Sequence, residues 1–161
     1  MTSSPTRREQ RPAPETRAGF AHFYAIAQRW MDSDVYRHMN NVVYYSFFDT
    51  AVNRYLIERG ALDVERSPDV GLVVETQCRF FSPITFPAMV NVGLRVDHIG
   101  KSSLRYAIAL FSDEADIASA QGHFVHVYVN RATNRPVPVP EAVKAAVLPL
   151  LRPKRASSPA G

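Results

Sequence analysis

A single cysteine, Cys78, stands in a chain of 161 residues. A lone thiol excludes an internal disulfide and the paired Cys-x-x-Cys ligands of a structural zinc site. The expected home is a reducing one, the cytoplasm. Long apolar runs are missing too. No membrane-length apolar stretch occurs, and the first residues, MTSSPTRREQRPAPETRAG, are polar, charged and proline-rich where a signal peptide would carry an apolar segment. The expectation is a soluble protein that is neither exported nor held in a membrane.

A concentrated basic face is also lacking, although the net charge is +4. Residues 1–18 carry four Arg against two Glu and residues 152–161 carry three basic groups and no acid, which leaves 12 basic against 13 acidic residues between them. A dedicated nucleic-acid binder gathers its cations on one face, so nucleic acid is not an expected partner. Both ends read as disordered tails, residues 1–18 and 152–161. One domain over residues 19–151 remains, without internal repeats, and the 46% apolar content supplies it with a core.

What is present has a clear order. His22 to Met31 is aromatic and apolar and reads as a first strand, followed by a polar turn from Asp32 to Arg37. Asn40 to Arg59 contains no Gly or Pro, and Gly60 stands where a helix commonly ends in a left-handed residue. This helix is apolar nearly all round, with only a narrow polar stripe of Ser46, Asp49, Asn53 and Glu58, so most of its surface has to be covered. Gly71 to Phe81, Ala88 to Ile99, Ser103 to Phe111 and Ala118 to Asn130 read as strands. The alternation is clearest at Val90, Val92, Leu94 and Val96 and again at Leu104, Tyr106, Ile108 and Leu110. Short turns between them predict antiparallel neighbours. Glu141 to Leu151 reads as a short terminal helix. Strand, long helix, then four strands is the order of an α+β domain whose curved five-stranded antiparallel sheet wraps one central helix.

The chemistry is concentrated in Asp32-Ser33-Asp34-Val35-Tyr36-Arg37-His38-Met39-Asn40-Asn41. These residues directly precede the helix, whose first backbone N–H groups lack internal partners and sit at its positive dipole end. A carboxylate facing those groups gives a nucleophile or general base beside an oxyanion hole, the minimum for acyl transfer. The same side chains also suit plain turn and capping roles. Asp32, Asp34 and His38 are chemically able to ligate a metal, but no second cluster supplies further ligands. No metal and no cofactor is expected.

Asp32 to Asp49 resembles the hotdog-fold acyl-CoA thioesterases of the 4-hydroxybenzoyl-CoA thioesterase type, whose signature is close to D-x-D-x-x-G-H-x-N-N-x-x-Y-x-x-F-(D/E). The match comprises Asp32, Asp34, His38, Asn40, Asn41, Tyr44, Phe47 or Phe48, and Asp49. The resemblance extends over about residues 20–140 through the order of elements. It implies a hotdog fold and acyl-CoA hydrolysis, with Asp34 as the catalytic carboxylate and a backbone N–H near Asn41 polarising the thioester carbonyl. His38 is a candidate to orient Asp34, or is purely structural, and Asn40 and Asn41 cap and brace.

Tyr45 and its aromatic neighbours are candidates to line the acyl pocket. Asp49 stands where some relatives contact the acyl group, with a structural bond to Asn53 as the alternative. Gly100-Lys101-Ser102-Ser103 resembles a turn beside the nucleotide end of coenzyme A, or is an ordinary hairpin turn. The resemblance also implies a homodimer, often a tetramer, with sites at the dimer interface. Arg37 departs from the pattern by replacing its glycine, which leaves either an added cation at the site mouth or an altered site. Two rivals on the same fold are a non-catalytic acyl-CoA or acyl-carrier binding module, and a hydratase or dehydratase using His38.

Overall fold

The structure, a computed structural model, describes residues 12–153. Its centre is the helix α1 (Asn41–Glu58). Asn40 caps the start, its side-chain oxygen accepting the Val42 N–H at 3.1 Å. Gly60 follows the end with φ of 68°, a left-handed turn that a Cβ would resist. Phe48, Ala51 and Val52 on this helix are fully covered. A stripe through Val42, Ser46, Asp49 and Ile57 stays exposed.

Five antiparallel strands curve round α1: β1 (His22–Ala27), β2 (Asp69–Phe80), β3 (Met89–Ile99), β4 (Ser103–Ser112) and β5 (Ala120–Asn130). Their spatial order is β1-β3-β4-β5-β2. The two alternating patterns fall as expected, because Val90, Val92, Leu94 and Val96 on β3 and Leu104, Ile108 and Leu110 on β4 all belong to the core packed on the helix. This is the α+β hotdog arrangement. Among the described residues β2 pairs only with β5, with a register shift between Val73 and Glu75, and its other edge is bare. Leu72, Val73 and Val74 there are 46%, 45% and 60% exposed. A second short helix, α2 (Glu141–Val147), closes the chain's end. Among the described residues no helix is long and apolar enough to cross a membrane.

Three sequence expectations are corrected. The first strand stops at Ala27 instead of Met31, because Asp32 reaches back to the Arg29 N–H at 2.8 Å and folds Trp30–Asp32 into a tight 3-10 turn. The terminal helix ends at Val147 and gives way to a 3-10 turn, Leu148–Leu150, around Pro149, which has no N–H to continue an α-helix. The tail boundary at residue 18 falls too late. Glu15 and Arg17 are pinned to the outer face of the sheet: Arg17 N–H donates to Asp116 O at 3.0 Å, and Ala118 N–H donates to Glu15 O at 2.9 Å. Buried Arg95 pairs with Glu15 at 2.6 Å and with Asp97 at 2.7 Å. Under this strap Phe20, Ala107, Ala109, Phe111 and Ala118 form a second apolar cluster. The expected tails at residues 1–11 and 154–161 lie outside the described residues.

One buried group gives the fold a pH signature. His126 is 3% exposed, lies among the rings of Tyr106, Phe124 and Tyr128, and has no partner for Nδ1 among the described residues. Burial pushes its pKa down to about 4. Between its ordinary value of 6.5 and about 4 the unfolded chain therefore binds a proton that the folded chain refuses, so stability falls as pH drops through that window. Thermal melts from pH 7 to pH 4 should lose on the order of 3 kcal/mol of stability from this group. His126→Leu should remove that part of the slope, and an unchanged slope in a folded variant would refute the assignment.

Candidate active site

The two aspartates of the loop between β1 and α1 have different surroundings. Asp32 is 2% exposed and fully engaged: its carboxylate accepts from the Arg29 backbone at 2.8 Å and from the guanidinium at 2.8 and 3.1 Å. Burial alone would raise its pKa, but these bonds outweigh it and hold the carboxyl below its usual range. Asp32 is thus the brace of the turn, and its carbonyl accepts the Asn40 N–H at 2.8 Å. With that carboxylate turned to Arg29, Asp32, Asp34 and His38 do not converge. Among the described residues no three metal-ligating side chains gather anywhere.

Asp34 is half-buried and differently placed. Oδ1 accepts from the Tyr36 N–H at 2.8 Å and from the His38 N–H at 3.3 Å, while the Asp34 N–H donates to His38 O at 2.8 Å. The turn role and the exposed-carboxylate role therefore coexist on one side chain. Oδ1 fixes the loop, and Oδ2 makes no hydrogen bond within the described residues. Arg37 closes this loop with its N–H on Asp34 O at 3.0 Å and a φ of 65°. Its backbone thus takes the left-handed conformation that glycine enters freely and that costs an L-residue about 1 kcal/mol.

Asp34 borders a cleft of about 360 Å³ lined also by His38, Met39, Asn41, Tyr44 and Phe80–Pro83. The helix start opens into it. Met39, Asn40, Val42 and Val43 N–H groups are taken by Ile84 O, Asp32 O, Asn40 Oδ1 and Asn40 O at 2.8, 2.8, 3.1 and 2.9 Å. The Asn41 N–H alone in this run has no acceptor among the described residues. It stands at the positive dipole end of α1 and faces the cleft. Tyr44 is 3% exposed and stacks edge-on against Phe80 at 4.9 Å. Burial pushes its phenol up to about 12, with the Asp34 charge adding to the rise and the Ile84 N–H opposing it, so it stays protonated.

The remaining expected residues scatter. Tyr45 is half-buried and packs edge-on against Phe48 at 5.9 Å. Asp49 accepts from Asn53 Nδ2 at 2.9 Å and borders a separate cavity of about 390 Å³ toward the C-terminal half of α1. Lys101, Ser102 and Ser103 make the β3–β4 hairpin, closed by Gly100 N–H on Ser103 O at 2.8 Å. Ala27, which leads into the Asp34 loop, pairs with Met89 at the opposite end of β3, so the hairpin lies about 30 Å along β3 from where that loop begins. Cys78 is half-buried, and burial pushes its thiol up to about 12, away from the reactive thiolate. Sequence reasoning missed Phe80–Pro83 as a wall of the cleft. Its only sequence signal is Pro83 ending a strand.

The hotdog sheet and the comparisons with known proteins place the chain in the thioester-hydrolase class. The chain belongs to the thioesterase-like superfamily, whose family model matches residues 28–147. Among solved structures it is similar to the PA5185 protein of Pseudomonas aeruginosa strain PAO1, with 48% identity, TM-score 0.83 and coverage of 87% of this chain and 97% of that one. A candidate thioesterase of Pseudomonas aeruginosa, PA2801, is 31% identical with TM-score 0.73 over 80% of this chain and 98% of its own. A Thermus thermophilus thioesterase solved with coenzyme A and Zn is 30% identical, with TM-score 0.68 over 80% and 92%. No curated protein matches.

Proposed function

We propose that this chain hydrolyses acyl-CoA thioesters to the free acid and CoA. The observation that carries this reading is the free Oδ2 of Asp34 in the same cleft as the unpaired Asn41 N–H. The thioester carbonyl points at the helix start, and Asn41 N–H stabilises the oxyanion as the carbon becomes tetrahedral. Asp34 either takes a proton from the attacking water or attacks to form an anhydride that water then opens. The C–S bond breaks in both routes and the thiolate leaves to be protonated. His38 holds Asp34 through its backbone, and the Tyr44 hydroxyl is a protonated donor in the same cleft. The coenzyme A bound by the Thermus thermophilus relative supports CoA as the thiol. Cytoplasmic residence fits a chain with one thiol.

The working unit we propose is a homodimer joined along β2. Its bare edge and the exposed Leu72, Val73 and Val74 are an aggregation hazard unless paired, and pairing with a second copy gives one ten-stranded sheet. Phe80 ends β2 and walls the cleft, so the second copy would complete the cleft on that side.

The test is a panel of short, medium, long and aromatic acyl-CoAs with a thiol reagent. Hydrolysis releases one thiol per thioester and exposes the preferred acyl group. Saturable binding without thiol would leave a binding module, and hydration of an enoyl thioester without thiol would leave the His38 hydratase.

A further inference from the structure

On the other side of the Asp34 loop lies a second cleft, of about 820 Å³, lined by Trp30, Met31, Val35, Arg37, Thr85 and Phe86 and bordered by Asp34 itself. We propose that this cleft holds the leaving-group arm of the substrate, pantetheine on its apolar floor and a phosphate on Arg37. The inference rests on the acyl-CoA reading above.

These observations carry it. Asp34 lines both clefts, so a thioester held at Asp34 and Asn41 has the second cleft within reach of one of its two substituents. The smaller cleft is walled by Tyr44, Phe80 and Phe81 and suits an apolar acyl group, whereas the larger one carries the cation and suits the larger, anionic thiol. The Arg37 guanidinium has no ion pair or hydrogen bond among the described residues, in contrast to Arg29, which is spent on Asp32. A guanidinium offering an unused fork of donors is the side chain best matched to phosphate. Finally, Trp30, Met31 and Val35 are 75%, 75% and 90% exposed, and Trp30 meets Phe86 edge-on at 5.6 Å. Nothing within the described chain covers this apolar floor, and it continues directly into the catalytic loop. Arg37 also keeps this place at the expense of a left-handed backbone.

Arg37→Gly separates charge from loop shape, because glycine adopts φ of 65° without strain, and Arg37→Gln removes the charge alone. Each should be assayed with one acyl group on CoA, on 4′-phosphopantetheine and on pantetheine. In both variants KM should rise roughly tenfold for the two phosphorylated thioesters and stay unchanged for the pantetheine thioester, since a charge-assisted phosphate bond is lost. The kcat should hold, and Arg37→Lys should recover part of the loss. A rise in KM that is equal for all three substrates would overturn the inference. So would Lys101→Gln moving KM while the Arg37 variants do not, because the nucleotide would then run to the β3–β4 hairpin. If the unaltered protein cleaves no thioester, the functional reading fails separately, and calorimetric titration with CoA still decides this one: Kd weakened roughly tenfold in Arg37→Gly supports it, and an unchanged Kd refutes it.

Discussion

Asp34→Asn yields a folded protein whose acyl-CoA turnover has dropped by at least about 100-fold, the scale of a lost general base or nucleophile. Folding survives because the amide oxygen of Asn still accepts from the Tyr36 and His38 N–H groups, which is all that Oδ1 does for the loop. The chemistry does not survive, because the second oxygen becomes an NH2 that neither attacks a carbonyl nor takes a proton from water. Asp32→Asn provides the contrast. It removes the charge facing Arg29 in a nearly solvent-free position, so it should lower the melting temperature more than Asp34→Asn does. Normal turnover by well-folded Asp34→Asn would remove Asp34 from the mechanism.

If the chain pairs along β2 as proposed, Val74→Lys should give a monomer in light scattering at micromolar concentration where the unaltered protein gives a dimer, and take most of the activity with it. Val74 sits at the register shift near the middle of the bare edge. When two copies of an antiparallel strand pair about a two-fold axis, its middle residues approach their own symmetry mates, so a lysine there sets like charge against like charge. The side chain is 60% exposed in the single chain, so the protomer itself should tolerate the change. A variant that stayed dimeric and active would place the interface elsewhere. A wild-type protein that scattered as a monomer would dispose of the dimer altogether.

The helix and the strands were readable because they depend on short-range pattern. A run without Gly or Pro between Asn40 and Gly60, and alternation at Val90 to Val96, leave few alternatives. The cleft at the helix start was readable for the same reason, since Asp34, His38 and Asn41 lie within one segment beside that helix. The division of labour between Asp32 and Asp34 was not. Both are aspartates in one turn, and only the fold of Trp30–Asp32 brings Arg29 onto the first of them. The cleft wall at Phe80–Pro83 comes from some forty residues downstream, and its approach to Asp34 depends on the β2–β5 register, which no local pattern encodes. The Lys101 turn reads identically at either end of a sheet, and only the antiparallel pairing of β1 with β3 puts it far from Asp34. At Arg37 the unusual residue was visible, but its backbone angle was not.

The strap of Glu15 to Gly19 is tied by hydrogen bonds across the back of the sheet and sets Phe20 into the apolar cluster beneath it. Trimming the polypeptide back to β1 would strip Phe20 off Phe111 and leave the Arg95 cation without Glu15, baring a greasy strip beside a half-neutralised charge. The left-over surface would be sticky in water, so fusions and tags belong ahead of that strap, never in place of it.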